Sequence, residues 1–89
     1  MKAIITVLGS DKVGIIAKVC TYLSDREINI LDISQTIIQG YFNMLMIVEM
    51  NESQENFVEI ADGLEELGKQ IGVVIKMQNE NIFNSMHRI

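Results

Sequence analysis

The sequence has no proline and no tryptophan, one cysteine, one histidine, and seven basic residues against twelve acidic ones in 89. Each shortage excludes something. A lone Cys20 cannot form an internal disulfide, which points to a reducing, cytoplasmic setting. His87 has no cysteine or carboxylate cluster at ligand spacing, so no metal site and no cofactor are expected. The net charge of −5 argues against nucleic-acid backbones and anionic membranes as partners. No apolar run approaches the roughly 18 residues of a membrane span. The opening MKAIITVLGSDK has no small-residue cleavage site, so a signal peptide is not expected. Without proline or a low-complexity stretch, there is no sign of a linker.

What remains is enough apolar material, 48% of the residues, for one small domain with a modest core. Ala3 to Leu8 is β-branched and nearly continuous, and predicts a strand that Gly9 ends. From Val13 to Leu23, the apolar residues Ile15, Ile16, Val19, Cys20 and Leu23 make one stripe of a helix. Asn29 to Gln39 and Tyr41 to Met50 predict two strands joined at Gly40 as a hairpin. Ser53 is placed to cap a second helix, with Phe57, Ile60, Ala61, Leu64, Leu67 and Ile71 along its apolar face. Gly72 suits the left-handed position after that helix. Val73 to Met77 predicts a fourth strand.

The order β-α-β-β-α-β is the split βαβ arrangement. The expected fold class is therefore α+β: a ferredoxin-like βαββαβ sandwich, with a four-stranded antiparallel sheet and two helices on one face. Right-handed crossovers place strands 1 and 3 in the centre. Residues 1–78 are expected to form this domain. Residues 79–89 are expected to be a tail in which Ile82, Phe83, Met86 and Ile89 recur at helical spacing, as in a short amphipathic C-terminal helix. Phe42, Met44, Met46, Val48 and Met50 share one side of strand 3, and Leu45 and Ile47 lie on the other. With both sides apolar, the face away from the helices needs a cover, either a second subunit or the tail.

The segment Gly9-Ser10-Asp11-Lys12-Val13-Gly14-Ile15 lies between strand 1 and helix 1. Asp11 is expected as the N-cap, accepting from the N–H of Val13 or Gly14. Gly14 in the first turn would leave the backbone donors of the helix end open to a ligand. A helix N-terminus favours a carboxylate, and an acid beside it can hold an ammonium. An α-amino acid carries both. The alternative, a capped turn that binds nothing, stays open on these residues alone.

This loop, together with Asn29-Ile30 opening strand 2, resembles the signature of the ACT domain family. Asp32-Ile33-Ser34-Gln35-Thr36, Gly40 and Phe42-Asn43-Met44 are similar to short free-standing ACT proteins, a subgroup like the amino-terminal half of the glycine cleavage system transcriptional repressor. The resemblance covers residues 1 to about 78 by its motifs. It implies a regulatory, non-enzymatic module that oligomerises, as a dimer, and binds a small molecule such as an amino acid where two domains meet. The implied ligand-binding residues are Gly9, Ser10, Asp11, Lys12, Val13, Gly14 and Ile15, with Asn29 and Ile30 opposite across a subunit junction. Val13 departs from the proline that many members carry there, so the first helical turn is less pre-set. A free-standing domain must act on a partner protein or on its own assembly.

Other uses of this element order fit less well. An RNA-recognition module needs aromatics and bases on its central strands. A heavy-metal carrier needs paired cysteines, and an acylphosphatase-like enzyme needs an arginine in a glycine-rich first loop. Here strand 1 carries no aromatic and strand 3 carries methionines on an acidic chain, Cys20 is alone, Lys12 is the only base in the first loop, and no catalytic residue set is found. Cys20 reads as a small core residue, and Glu65-Glu66 as a solvated helix face. The competing class is a protein–protein interaction module with no metabolite, using the methionine-rich strand 3 as an adaptable surface.

Overall fold

The structure is a computed structural model that describes residues 2–10, 13–50 and 57–79. Its elements follow in the order β1 (Lys2–Ser10), α1 (Ile15–Asp25), β2 (Asn29–Ile38), β3 (Tyr41–Glu49), α2 (Phe57–Ile71) and β4 (Val73–Asn79). The four strands form one antiparallel sheet in the order β2-β3-β1-β4. The ferredoxin-like fold is the one the element order predicts, with β1 and β3 central.

Gly9 does not end β1 as expected. Gly9 and Ser10 continue the ladder opposite Phe42 and Tyr41, because β3 extends far enough to pair with them. A Cβ on Gly9 would lie 2.7 Å from Val73 Cγ1. The missing side chain is thus what lets β4 pack at that end of the sheet.

Strand alternation sorts the side chains. Ala3, Ile5 and Val7 of β1, Phe42, Met44, Met46 and Val48 of β3, and Val73, Ile75 and Met77 of β4 are all buried toward the helices. They meet Ile15, Val19 and Leu23 of α1 and Ile60 and Leu64 of α2. No buried polar or charged residue occurs among the described residues. The methionines are core residues: Met44 and Met46 are completely buried and Met50 is 1% exposed. Packing is thus their role, and the adaptable surface that the competing interaction-module reading gave them is corrected. They fill the irregular space under two helices, which an unbranched, flexible side chain suits.

The hairpin turn is Gln39-Gly40, with φ of 51° and 82°. Positive φ at both central residues is the type I′ pattern that matches strand twist, and glycine meets it at the second position without steric cost. Gly72 has φ 83° and its N–H donates to the Gly68 carbonyl at 2.8 Å, closing α2 as expected. The Ser53 cap and the C-terminal helix lie outside the described residues.

The helices are joined by one tyrosine. The Tyr22 hydroxyl donates to the Ile60 carbonyl at 3.2 Å, and the Arg26 guanidinium stacks over the Tyr22 ring at 3.5 Å. The Arg26 Nη1 also donates back to the Tyr22 carbonyl. Gly63 makes room for this contact, since a Cβ there would collide with the tyrosine hydroxyl.

Candidate functional site

The α1 entry differs from its expected form. The N-cap is Gly14, in the left-handed region at φ 89° and ψ 1°, with no side-chain cap hydrogen bond. The N-cap position thus falls on Gly14 and not on Asp11 as expected. The helix starts later than the apolar stripe suggested, because the chain must turn through a left-handed residue after β1, and only glycine does so without a Cβ penalty. Gly14 still contributes to the ladder of the helix, its carbonyl accepting from the Lys18 N–H at 3.0 Å. No acid stands in the first turn of α1. The first-turn N–H groups have no intrahelical partner, and the N-cap glycine offers them no side chain.

Around this entry the expected residues are distributed unevenly. Ser10 is exposed and Val13 is fully exposed. Gly14 has open space where a side chain would point. Ile15 is 3% exposed, so its side chain belongs to the core and only its backbone is left for a ligand. Asp11 and Lys12 lie outside the described residues.

Asn29 and Ile30 are at the other end of the molecule. Asn29 pairs with Glu49, which also pairs with Lys2, whereas Ser10 pairs with Tyr41. The eight-residue advance along β1 from Lys2 to Ser10 is about 27 Å at the usual strand rise. One chain therefore does not bring Gly9–Ile15 and Asn29–Ile30 together.

At the Asn29 end there is an open groove of about 420 Å³ lined by Cys20, Ser24, Glu27, Ile28, Asn29 and Ile30. Its floor is apolar and its rim polar. Cys20 is half-buried and packs against the core, so it is a core-edge residue that also reaches the groove. A register shift between Ile30 and Asp32 marks a β-bulge at Leu31. The bulge changes the strand's parity. It turns Ile30 toward the helices, opposite Val48, while Asp32 lies on the open face opposite Ile47. Sequence reading missed both the groove and the bulge, since Asn-Ile-Leu-Asp-Ile carries no signal for one extra residue.

No group of three or more metal-ligating side chains occurs among the described residues. No helix among them is long and apolar enough to cross a membrane.

Residues 2–78 match the ACT domain family. The chain belongs to that family. A UPF0237 protein of Bifidobacterium longum is 60% identical over 88 residues, covering 99% of this chain and 98% of the relative. The solved structure of an ACT domain protein from Streptococcus pneumoniae superposes with a TM-score of 0.84 at 42% identity, covering 93% of both chains. A solved structure described as a glycine cleavage system transcriptional repressor gives a TM-score of 0.76 at 26% identity, covering 86% of this chain and 44% of that one. The ACT fold is a regulatory one. The two segments that resemble the ACT signature are the β1–α1 entry just described and the Asn29–Ile30 start of β2.

Proposed function

We propose that this ACT domain works without catalysis, by associating with a second copy and binding a small zwitterion or carboxylate, an amino acid in the simplest case, at the junction. The observation that carries this reading is the separation of the two ACT segments. The α1 entry presents backbone donors behind an αL glycine at the N-cap, and the Asn29 groove lies at the opposite end of the sheet. Two copies facing in opposite directions would join an entry to a groove twice over. A helix N-terminus favours the carboxylate end of such a ligand. The ligand-contacting residues in this reading are Gly9, Ser10, Asp11, Lys12, Val13, Gly14 and the backbone of Ile15 from one copy, with Asn29 and Ile30 from the other. A ligand held between subunits stabilises the associated form by its preference for that form, and a protein partner would read the assembly.

A thermal-shift screen of the intact protein against the twenty amino acids, nucleotides and common metabolites tests this. A ligand present at 100 times its Kd would add about 2.7 kcal/mol of stability, a shift of several degrees. Calorimetry on wild type and Asn29→Ala then locates the site, since Asn29 is exposed and its loss should spare the fold. A bulky residue at Gly14 is a poor test, because φ 89° strains any side chain there. An empty screen, or equal affinity in Asn29→Ala, overturns the reading.

A second reading, a protein-interaction module without a metabolite, is favoured by the sheet face away from the helices. Leu8, Tyr41, Leu45 and Val74 are 54%, 61%, 39% and 56% exposed there. A partner that bound this face with no ligand-induced thermal shift would favour it.

A further inference from the structure

We propose that residues 80–89 fold back as a short helix across the open face of the sheet and close its Ile4–Ile47 end in the same chain. The inference is independent of the ligand reading and goes beyond it.

It starts from one residue. Among the described residues, every buried apolar side chain belongs to the core under the helices, with Ile4 as the single exception. Alternation places Ile4 on the opposite face, with Lys2, Thr6 and Leu8. Both helices lie on the other side of the sheet. Yet Ile4 is 8% exposed, whereas Leu8, further along the same face of the same strand, is 54% exposed. Lying in a central strand does not account for the difference. Leu45 also stands in a central strand, between Thr6 and Ser34, and is 39% exposed. Ile47, which pairs with Ile4, is partly covered as well. The cover therefore lies over the Ile4–Ile47 end and fades toward Leu8. A second copy is not its source, because Ile4 is enclosed in a single chain.

Parity and connectivity leave one segment to supply it. Continued alternation gives Met1 the side of Ala3 and Ile5, under the helices. Residues 11–12 follow Ser10, at the other end of β1. Residues 51–56 lead from the buried Met50 to α2, on the helix side. Residues 80–89 follow Asn79, which pairs with Ala3 beside Ile4. The chain thus leaves β4 at the covered end of the sheet.

This segment fits in length and in chemistry. Glu80 and Asn81 are polar, and asparagine suits both a turn and an N-cap. Ile82, Phe83, Met86 and Ile89 follow at offsets that make one apolar stripe of a helix. Residues 82–89 as a helix would be about 12 Å long. β3 lies two strands from β4, a distance of about 10 Å. A helix laid across the strands advances about 4.5 Å for every three residues, close to the spacing of about 4.8 Å between strands. Phe83, Met86 and Ile89 then step from one strand to the next, and the apolar stripe meets the sheet from β4 across β1 to β3. With the tail in place, only the far half of this face, with Leu8, Tyr41 and Val74, is left to a protein partner.

The chain has no tryptophan, so Phe83→Trp in the full-length protein supplies a single reporter. It should emit at the short wavelength of a buried indole and resist quenching by iodide. Both properties should persist on dilution, because the tail covers its own chain. Adding Ile4→Lys should shift the emission to the red, and adding Leu8→Lys should leave it unchanged. In the unaltered protein, the amides of residues 84–89 should exchange at least about tenfold more slowly than in an unfolded peptide. Solvent-exposed emission or unprotected amides overturn the proposal. So does a red shift with Leu8→Lys and none with Ile4→Lys. A red shift on dilution, as the mass falls from two chains to one, also overturns it and assigns the cover to a neighbour's tail. If the Ile4→Lys protein does not fold, the emission and its dilution series, together with the exchange of the unaltered protein, decide.

Discussion

The two edge strands of this sheet carry similar amounts of apolar side chain and have opposite fates. β4 alternates buried and exposed along Val73, Val74, Ile75, Lys76, Met77 and Gln78, because α2 lies over it. β2 holds five isoleucine and leucine residues in ten, and no residue of it is fully buried. Composition therefore does not decide burial at an edge; the position of a helix does. α2 leads directly into β4 through Gly72, and Gly68 lets helix and strand approach closely. A Cβ at Gly68 would lie 2.6 Å from the Val73 carbonyl oxygen. α1 enters β2 through Arg26 and Glu27, the latter in the left-handed region at φ 57°, but covers only the beginning of the strand, at Ile30.

The sharpest way to break this comparison is to truncate one isoleucine from each edge. Ile75→Ala should cost about 2–5 kcal/mol, because the side chain is fully enclosed and leaves a cavity. In urea unfolding that is a large part of the stability of a domain this size. Ile37→Ala should change the stability of the isolated chain by under about 0.5 kcal/mol, as an exposed substitution does. Equal losses at both positions at high dilution would show that β2 is covered within one chain.

Gly68→Ala tests the cover of β4 from the helix side. Alanine is the better helix former by up to about 1 kcal/mol, yet the new methyl would press on strand backbone. A net loss of about 1–3 kcal/mol is expected, lowering the melting temperature by several degrees. A rise would mean that α2 can lift from β4 at no cost, and that the two edges differ less than their burial suggests.

Tyr22→Phe should have the smallest effect, about 1 kcal/mol for one part-buried hydrogen bond to Ile60. It removes the hydroxyl link between α1, which serves the β2 side, and α2, which serves β4. Hydrogen exchange should speed up in α1 more than in α2, since α2 keeps its packing on β4. Equal acceleration in both would indicate that the helices open as one unit.

The sequence by itself determined the order of elements, the central place of β1 and β3, and the apolar faces of both helices. These follow from local periodicity, from Gly40 and Gly72 at left-handed positions, and from the handedness of crossovers, which act within a few residues or on chain topology. The loop and Asn29-Ile30 were also legible as family signature. Tertiary structure alone decided the rest. It extended β1 through Gly9 because a β3 partner was there to pair, and it moved the helix cap from Asp11 to Gly14. It turned the methionines of β3 into core, since either face of an apolar strand reads alike until the helices choose one. It placed the two ACT segments at opposite ends of one sheet, and inserted the Leu31 bulge that ends the regular part of β2. Each of these depends on contacts between residues far apart in the chain, and periodicity within a segment carries no record of which distant strand or helix will lie beside it.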